Sequence, residues 1–390
     1  MNRFALLGER SLRTRANLPV VIVLGLVVMT LMAMAVDTPS RTLAAPAGPV
    51  RIGVITGVTG GETATGEGTV RGVQIAVDEI NADGGIDGRR LAVIVEDSES
   101  RPAIGVDAAH KLIDVNKVPL IICGCSSGIL LPIGAYAKTQ NVIIVNSSGS
   151  SPLIRQLAGT VFSVLTLDDI YSKFLAQWVY EKKFRSIAML APNTAYGVTQ
   201  TKGVTEEFQR LGGRVVEAIL YEQNQADYRP DLQRIQARRP EALVVAAFGD
   251  DSKLLFKQAI QIGLTVPWYV AYPTGLVIED PTQAEGRIFG LDLGFNVPTA
   301  LRFNAAYAKR YGRLPRVPNA VYTYDGVWLA ALAMREGGTD PNRIRIALPR
   351  VAREYNGGTG KIIFDAQGQR VTGAFVKVRM TRDGTFVPTD

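Results

Sequence analysis

From Val50 onward the chain alternates short β-branched runs with amphipathic helical stretches, and it sets out this alternation twice. The first series reads strand Val50–Ile55, helix Glu67–Asn81, strand Leu91–Glu96, helix Ala103–Lys117, strand Leu120–Cys123, helix Ile129–Thr139 and strand Val142–Val145. Its first helix carries Val70, Val73, Val77 and Ile80 on one face and stops at Gly84-Gly85. The second series reads strand Ser186–Leu190, helix Val198–Leu211 stopped by Gly212-Gly213, strand Arg214–Leu220, helix Asp231–Arg238, strand Ala242–Ala247 and helix Asp251–Gln261. Strands that alternate with helices at this spacing form βαβ units, hence parallel sheets with helices on both faces. Two similar doubly wound α/β lobes are expected. The last ninety or so residues add helices Ala300–Tyr311 and Tyr322–Arg335 and a strand Lys361–Phe364. Tails of this kind cross back to complete an earlier lobe.

Ahead of this body stands a segment with the pattern of an export leader. Four arginines occur up to Arg15, and Leu18–Val36 then carries no charge over 19 residues. Ala33-Met34-Ala35 is a small-x-small cleavage pattern, and residues 38–48 have the composition of a processing tail. If left uncleaved, residues 18–36 could also span a bilayer and would be the only membrane contact. Three of the seven net positive charges belong to this region, which holds five arginines against Glu9 and Asp37. The body is therefore only mildly basic, with no basic stripe interleaved with aromatics, and nucleic acid is not an expected partner.

A single histidine, His110, and two cysteines exclude His-rich and four-thiolate zinc sites. Cys123 and Cys125 are one residue apart at the end of a strand, where a bridge would be strained, so two buried thiols are expected. Gly66-x-Gly68-x-x-x-Gly72, with Glu96 and Asp97 downstream, has the look of a dinucleotide fingerprint. The loop from Ile55 to Glu67 is too long for the tight turn that motif needs, and no cofactor is expected. Gly124-Cys125-Ser126-Ser127-Gly128 matches a nucleophile elbow, G-x-S-x-G, between strand and helix. The triad order demands a histidine downstream of the serine, and His110 lies upstream.

Binding uses the same residues better. Ser126 and Ser127 open one helix, and Asn146-Ser147-Ser148-Gly149-Ser150-Ser151-Pro152 follows the next strand, with Ser151 placed as N-cap and Pro152 as first helical residue. Two hydroxyl-rich loops at neighbouring strand ends form a small-anion site at the carboxyl edge of a parallel sheet. Tyr196, Phe248, Tyr322 and Tyr324 fall at strand ends or at the start of a late helix. Each alone is core material; together they could close over a ligand held between lobes.

These residues give the body, over nearly all of 50–385, a resemblance to the periplasmic solute-binding proteins of branched-chain amino acid-type ABC transporters, the type I leucine/isoleucine/valine-binding group. The most specific stretches are INADGGIDGRRL, the serine loops, TAYG and TGKIIFDAQGQR. The resemblance implies two doubly wound lobes joined by three hinge crossovers, near Leu167, Phe295 and Gly358. One lobe would comprise 49–167 with 296–358, the other 168–295 with 359–390, after a leader and tether at 1–48. It implies a small-molecule ligand, an inner-membrane ABC permease as partner, a periplasmic location and no enzymatic activity. It assigns the ligand carboxylate to Ser126, Ser148 and Ser150, with Asp168 at the first crossover and Tyr196 in the second lobe. The family's glutamate for a ligand ammonium is replaced by Thr274 in Tyr272-Pro273-Thr274-Gly275. The expected ligand is a small carboxylate, an amide or an amino-acid-like molecule; unless Asp168 or Asp325 substitutes, an amide or an uncharged-tail carboxylate such as an aromatic acid is expected ahead of a standard amino acid. The family's disulfide is also lost, since Cys125 matches one partner but the other falls near Ser98-Glu99. The same fold serves as a ligand-sensing domain in signalling systems, and an exported enzyme using Ser126 is the third alternative.

Overall fold

Apolar runs such as Leu120-Ile121-Ile122-Cys123 leave no polar face for water, so their strands must be covered on both sides. The computed structural model describes residues 48–293, 298–373 and 375–390 and places these runs at the centres of two sheets. The leader expected at 1–48 therefore lies outside the described residues but for Gly48, and the crossover near Phe295 lies outside them entirely.

The first sheet contains β1 (Val50–Thr56), β2 (Leu91–Asp97), β3 (Leu120–Gly124), β4 (Ile143–Asn146) and β5 (Val161–Thr166). Between them run α1 (Thr63–Ala82), α2 (Pro102–His110), continued by a π-helical turn over Lys111–Val115, and α3 (Ser127–Thr139). After β5 the chain leaves through α4 (Asp168–Glu181) into the second series: β6 (Ser186–Pro192), α5 (Ala195–Arg210), β7 (Arg214–Tyr221), α6 (Arg229–Ala237), β8 (Ala242–Val245), α7 (Gly249–Gln261), β9 (Trp268–Ala271) and β10 (Ile288–Leu293). It returns through α8 (Leu301–Tyr311), α9 (Asn319–Gly337) and α10 (Pro341–Glu354), which share one core with β1, β3, β4 and β5. The short strands β11 (Asn356–Gly357), β12 (Gly360–Lys361) and β13 (Gln369–Arg370) follow, and β14 (Phe375–Met380) and β15 (Phe386–Pro388) end the chain.

The first sheet has the order β13-β5-β4-β3-β1-β2, parallel throughout. The second runs β15-β14-β10-β9-β8-β6-β7, parallel from β7 to β10 but antiparallel at β14 and β15. The sequence did not announce that antiparallel edge, because Phe375–Met380 lacks a helical partner and alternates like any half-exposed strand. Two tail expectations need correction. Lys361–Phe364 is not a continuous strand: Lys361 pairs with Asn356 in a tight hairpin, and Phe364 only bridges Arg370. The third connection between sheets falls after Arg370, which still pairs with β5, and not near Gly358.

Glycines of the fingerprint-like segment serve packing. A Cβ on Gly72 would lie 2.2 Å from the Ala320 carbonyl oxygen, and one on Gly68 2.5 Å from Asn319 Oδ1. Helices α1 and α9 thus meet backbone to backbone, a closeness only glycine permits. Cys123 and Cys125, expected as separate thiols, are bridged, with both side chains fully buried and Cα atoms 5.4 Å apart. Residues two apart on an extended segment share a face, which brings the two sulfurs together.

Candidate functional site

Parallel register decides where the loops emerge. Cys123 of β3 pairs with Asn146 of β4, so the turn into α3 and the Ser147–Ser151 loop leave the first sheet side by side. In the second sheet, the connections that leave β6, β8 and β9 likewise carry Tyr196, Phe248 and the Tyr272–Gly275 turn. These carboxyl edges border one cleft, open to solvent. Ser126, Ser127, Ser148 and Ser150 line it from the first sheet, and Tyr196, Phe248 and Thr274 from the second.

The serine loop is held by its own side chains. Asn146 Oδ1 accepts the Ser148 and Gly149 N–H groups at 3.1 and 2.9 Å, and Asn146 Nδ2 donates to the Gly149 carbonyl at 2.7 Å. Ser127 Oγ accepts the Ser150 and Ser151 N–H groups at 3.1 and 3.0 Å. Ser151 caps the next turn, its Oγ accepting Leu153 N–H at 3.3 Å, as expected of Ser-Pro at a helix start. Gly149 therefore shapes the loop and is not among the residues that line the cleft. The backbone amides expected to receive an anion are largely spent inside the loop; the hydroxyls are what it offers.

Asp168 opens α4 and is 1% exposed. Its Oδ2 accepts the Ser150 hydroxyl at 3.0 Å and its Oδ1 the Tyr272 hydroxyl at 2.9 Å. One carboxyl behind the cleft wall thus ties a first-sheet loop to a second-sheet loop. Burial pushes its pKa up to about 8, against the lowering effect of the two hydroxyls. Tyr272 has φ of +55°, a conformation non-glycine residues rarely adopt, and stacks on Tyr171 at 4.2 Å. Its N–H donates to the Tyr171 hydroxyl at 3.0 Å. Asp292, raised to about 6 by burial, accepts Thr274 N–H at 3.2 Å and fixes the other end of the turn. Tyr196 and Phe248 (6.2 Å between centroids) and Tyr196 and Tyr272 (6.2 Å) form an aromatic wall.

Three residues named from the sequence stand elsewhere, of which Tyr322 is buried in the core that α9 shares with the first sheet, against Arg370. Tyr324 donates to Glu79 Oε2 at 2.6 Å and lines a separate cavity with Trp328 and Tyr355. Asp325 accepts from the Tyr355 hydroxyl, from the Gly358 and Thr359 N–H groups and from the Thr359 hydroxyl, all at 2.6–2.8 Å. It staples the 356–359 turn and is saturated there. His110 sits at the surface beside Asp114, 3.0 Å away, so it gives Ser126 no base. No group of three or more His, Cys, Asp or Glu that could hold a metal ion occurs among the described residues.

Sequence reasoning missed Glu62, Thr65, Tyr272 and Asn319, all of which line the cleft. Glu62 is 8% exposed, and its Oε2 accepts Ser126 N–H at 3.2 Å. Its one signal is position: it immediately precedes α1, at the end of the loop after β1.

Two α/β lobes whose strand ends face each other across a cleft define the class of two-lobed type I binding proteins. Residues 49–385 match the family described as periplasmic binding protein, and the chain belongs to that family. The Leu/Ile/Val-binding protein BraC3 of Rhizobium johnstonii is 25% identical over 215 residues, 54% of this chain and 57% of that protein. The Leu/Ile/Val-binding protein homolog 2 of Brucella abortus is 24% identical over 86% of this chain and 92% of its own length. Among solved structures, the leucine binding protein LivK of Thermotoga maritima superposes with a TM-score of 0.80 at 23% identity, over 87% of this chain and 98% of that one. A solute binding protein of an ABC transporter from Rhodopseudomonas palustris, in complex with benzoate, does so with a TM-score of 0.78 at 18% identity, over 87% and 95%. The family and these neighbours are solute-binding proteins. Among the described residues, no helix is long and apolar enough to cross a membrane.

Proposed function

We propose that this protein is the substrate-binding component of an ABC transporter, exported from the cytoplasm, which captures a small ligand in its cleft and presents the closed form to an inner-membrane permease. The observation that carries this is the meeting of serine hydroxyls from one sheet with an aromatic wall from the other across a single cleft. The ligand accordingly has a polar head, a carboxylate or an amide, and an apolar body small enough for the rings of Tyr196 and Phe248 to cover. Relatives named for leucine, isoleucine and valine and a neighbour holding benzoate support a ligand of that size and kind. The chain segments near Leu167 and after Arg370 act as hinge strands between the sheets, and differential affinity for the closed state is the whole mechanism.

Thermal unfolding of the purified protein with L-amino acids, short amides, and aliphatic and aromatic acids tests this. A ligand at 100 times its dissociation constant stabilises by about 2.7 kcal/mol, a readable rise in midpoint. Replacement of Phe248 by alanine should shrink that rise. Hydrolysis of any ester by the wild type would point instead to chemistry at Ser126.

A further inference from the structure

We propose that Glu62 is the counter-charge for a cationic nitrogen on the ligand, so that the cleft takes an amine-bearing small molecule. This rests on reading the cleft as a ligand site, and it reverses the expectation drawn from Thr274.

Among the described residues, Glu62 is the only charged side chain that lines the cleft, and no lysine, arginine or histidine does. Among the described residues its carboxylate makes no ion pair, and it is more than nine-tenths buried. It accepts the Ser126 N–H at the start of α3, and the Ser126 hydroxyl bonds it as well. Burial pushes its pKa up, with Ser126 opposing the shift. A buried carboxylate without a cation is costly, and a ligand that brings one removes the cost.

The serine loops strengthen the case by what they lack. The N–H groups of Ser148, Gly149, Ser150 and Ser151 are bonded to Asn146 and Ser127, and that of Ser126 to Glu62. A ligand that is only an anion would meet hydroxyls and a like charge. A ligand with both an amine and a carboxylate can set the amine on Glu62 and the carboxylate on the Ser148 hydroxyl, which lines the same cleft. The other acids near the cleft are already engaged, Asp168 by two hydroxyls and Asp292 by two backbone amides.

The test is titration calorimetry with matched pairs: L-leucine against 4-methylpentanoate, and L-phenylalanine against 3-phenylpropanoate. The wild type should bind the amine-bearing member of at least one pair tenfold or more tighter, as roughly expected for a desolvated charge pair. Glu62→Gln, which keeps an acceptor for Ser126 N–H, should weaken that ligand by about a hundredfold and leave the acid unchanged or tighter. Equal or better binding of the acids by the wild type would overturn the proposal and leave the cleft reading standing. So would a Glu62→Gln variant that holds the amine-bearing ligand within about threefold. Silence of all four probes, and of the amides and other acids of the thermal screen, would overturn both. If Glu62→Gln does not fold, the wild-type preference within each pair decides.

Discussion

On the first-sheet side of the cleft the lining polar groups are the Glu62 carboxyl and hydroxyls on loops whose own amides are already bonded. On the second-sheet side rings take their place: Tyr196, Phe248 and Tyr272. The first wall is rigid because Asn146 and Ser127 hold its backbone from within. The second is set by packing, with Tyr272 held in a left-handed conformation by its stack on Tyr171. Polar recognition and apolar coverage are thus divided between the walls, and a protein that closes on its ligand needs both only when shut. Asp168 joins the two through Ser150 and Tyr272.

Cutting that link should have the largest effect. Asp168→Ala leaves two buried hydroxyls without their acceptor, which costs about 3 kcal/mol in urea unfolding. Asp168→Asn keeps acceptor and donor capacity and should be milder, but it changes the pH response. The folded carboxyl titrates at about 8, well above its unfolded value, so the folded state binds the extra proton. Its stabilising contribution is full below the unfolded pKa and is lost as pH rises from about 4 through about 8. Asp292, at about 6, acts in the same direction over the lower part of that window. Between pH 6 and 8 the wild type should therefore lose stability at up to about 1.4 kcal/mol per pH unit more than Asp168→Asn. Equal slopes would mean that Asp168 is already ionised in the fold.

Single-wall variants should separate the two kinds of recognition. Phe248→Ala removes ring coverage and should weaken a ligand with a large apolar body by about 2 kcal/mol, near thirtyfold. Ser148→Ala removes one hydroxyl and should cost about 1 kcal/mol, less than tenfold, for every ligand that carries the polar head. A loss independent of ligand size for Phe248→Ala would show that the walls do not divide the task.

What the sequence made legible follows the same division. The β/α rhythm, the two helix-opening serines and the Ser151 cap could be read because periodicity and capping are local chemistry. Tyr196 and Phe248 could be placed because strand ends in a parallel sheet share an edge. The saturation of the serine loop was hidden, since it depends on the Asn146 side chain folding back over its own loop. Glu62 was hidden for a similar reason: glutamate before a helix ordinarily faces water, and only the packing of α1 against α9 and β3 turns this one inward. Tyr324 shows the converse, for helix α9 presents Asn319 to the cleft and Tyr324 to another cavity, more than one turn further along.

Tyr324 also supplies the smallest prediction. Its hydroxyl bonds Glu79 outside the cleft, and its ring packs on Phe303 at 5.0 Å. Tyr324→Phe keeps the ring and loses one hydrogen bond to a partly exposed carboxylate, which Arg302 also holds at 3.1 Å. Stability should fall by no more than about 1 kcal/mol, and ligand affinity should stay within about twofold of wild type. Calorimetry on this variant beside Phe248→Ala compares two aromatic residues that the sequence offered as equals. A loss of affinity at Tyr324 as large as that at Phe248 would mean that the second cavity communicates with the cleft, and that the aromatic wall does not end with the second sheet.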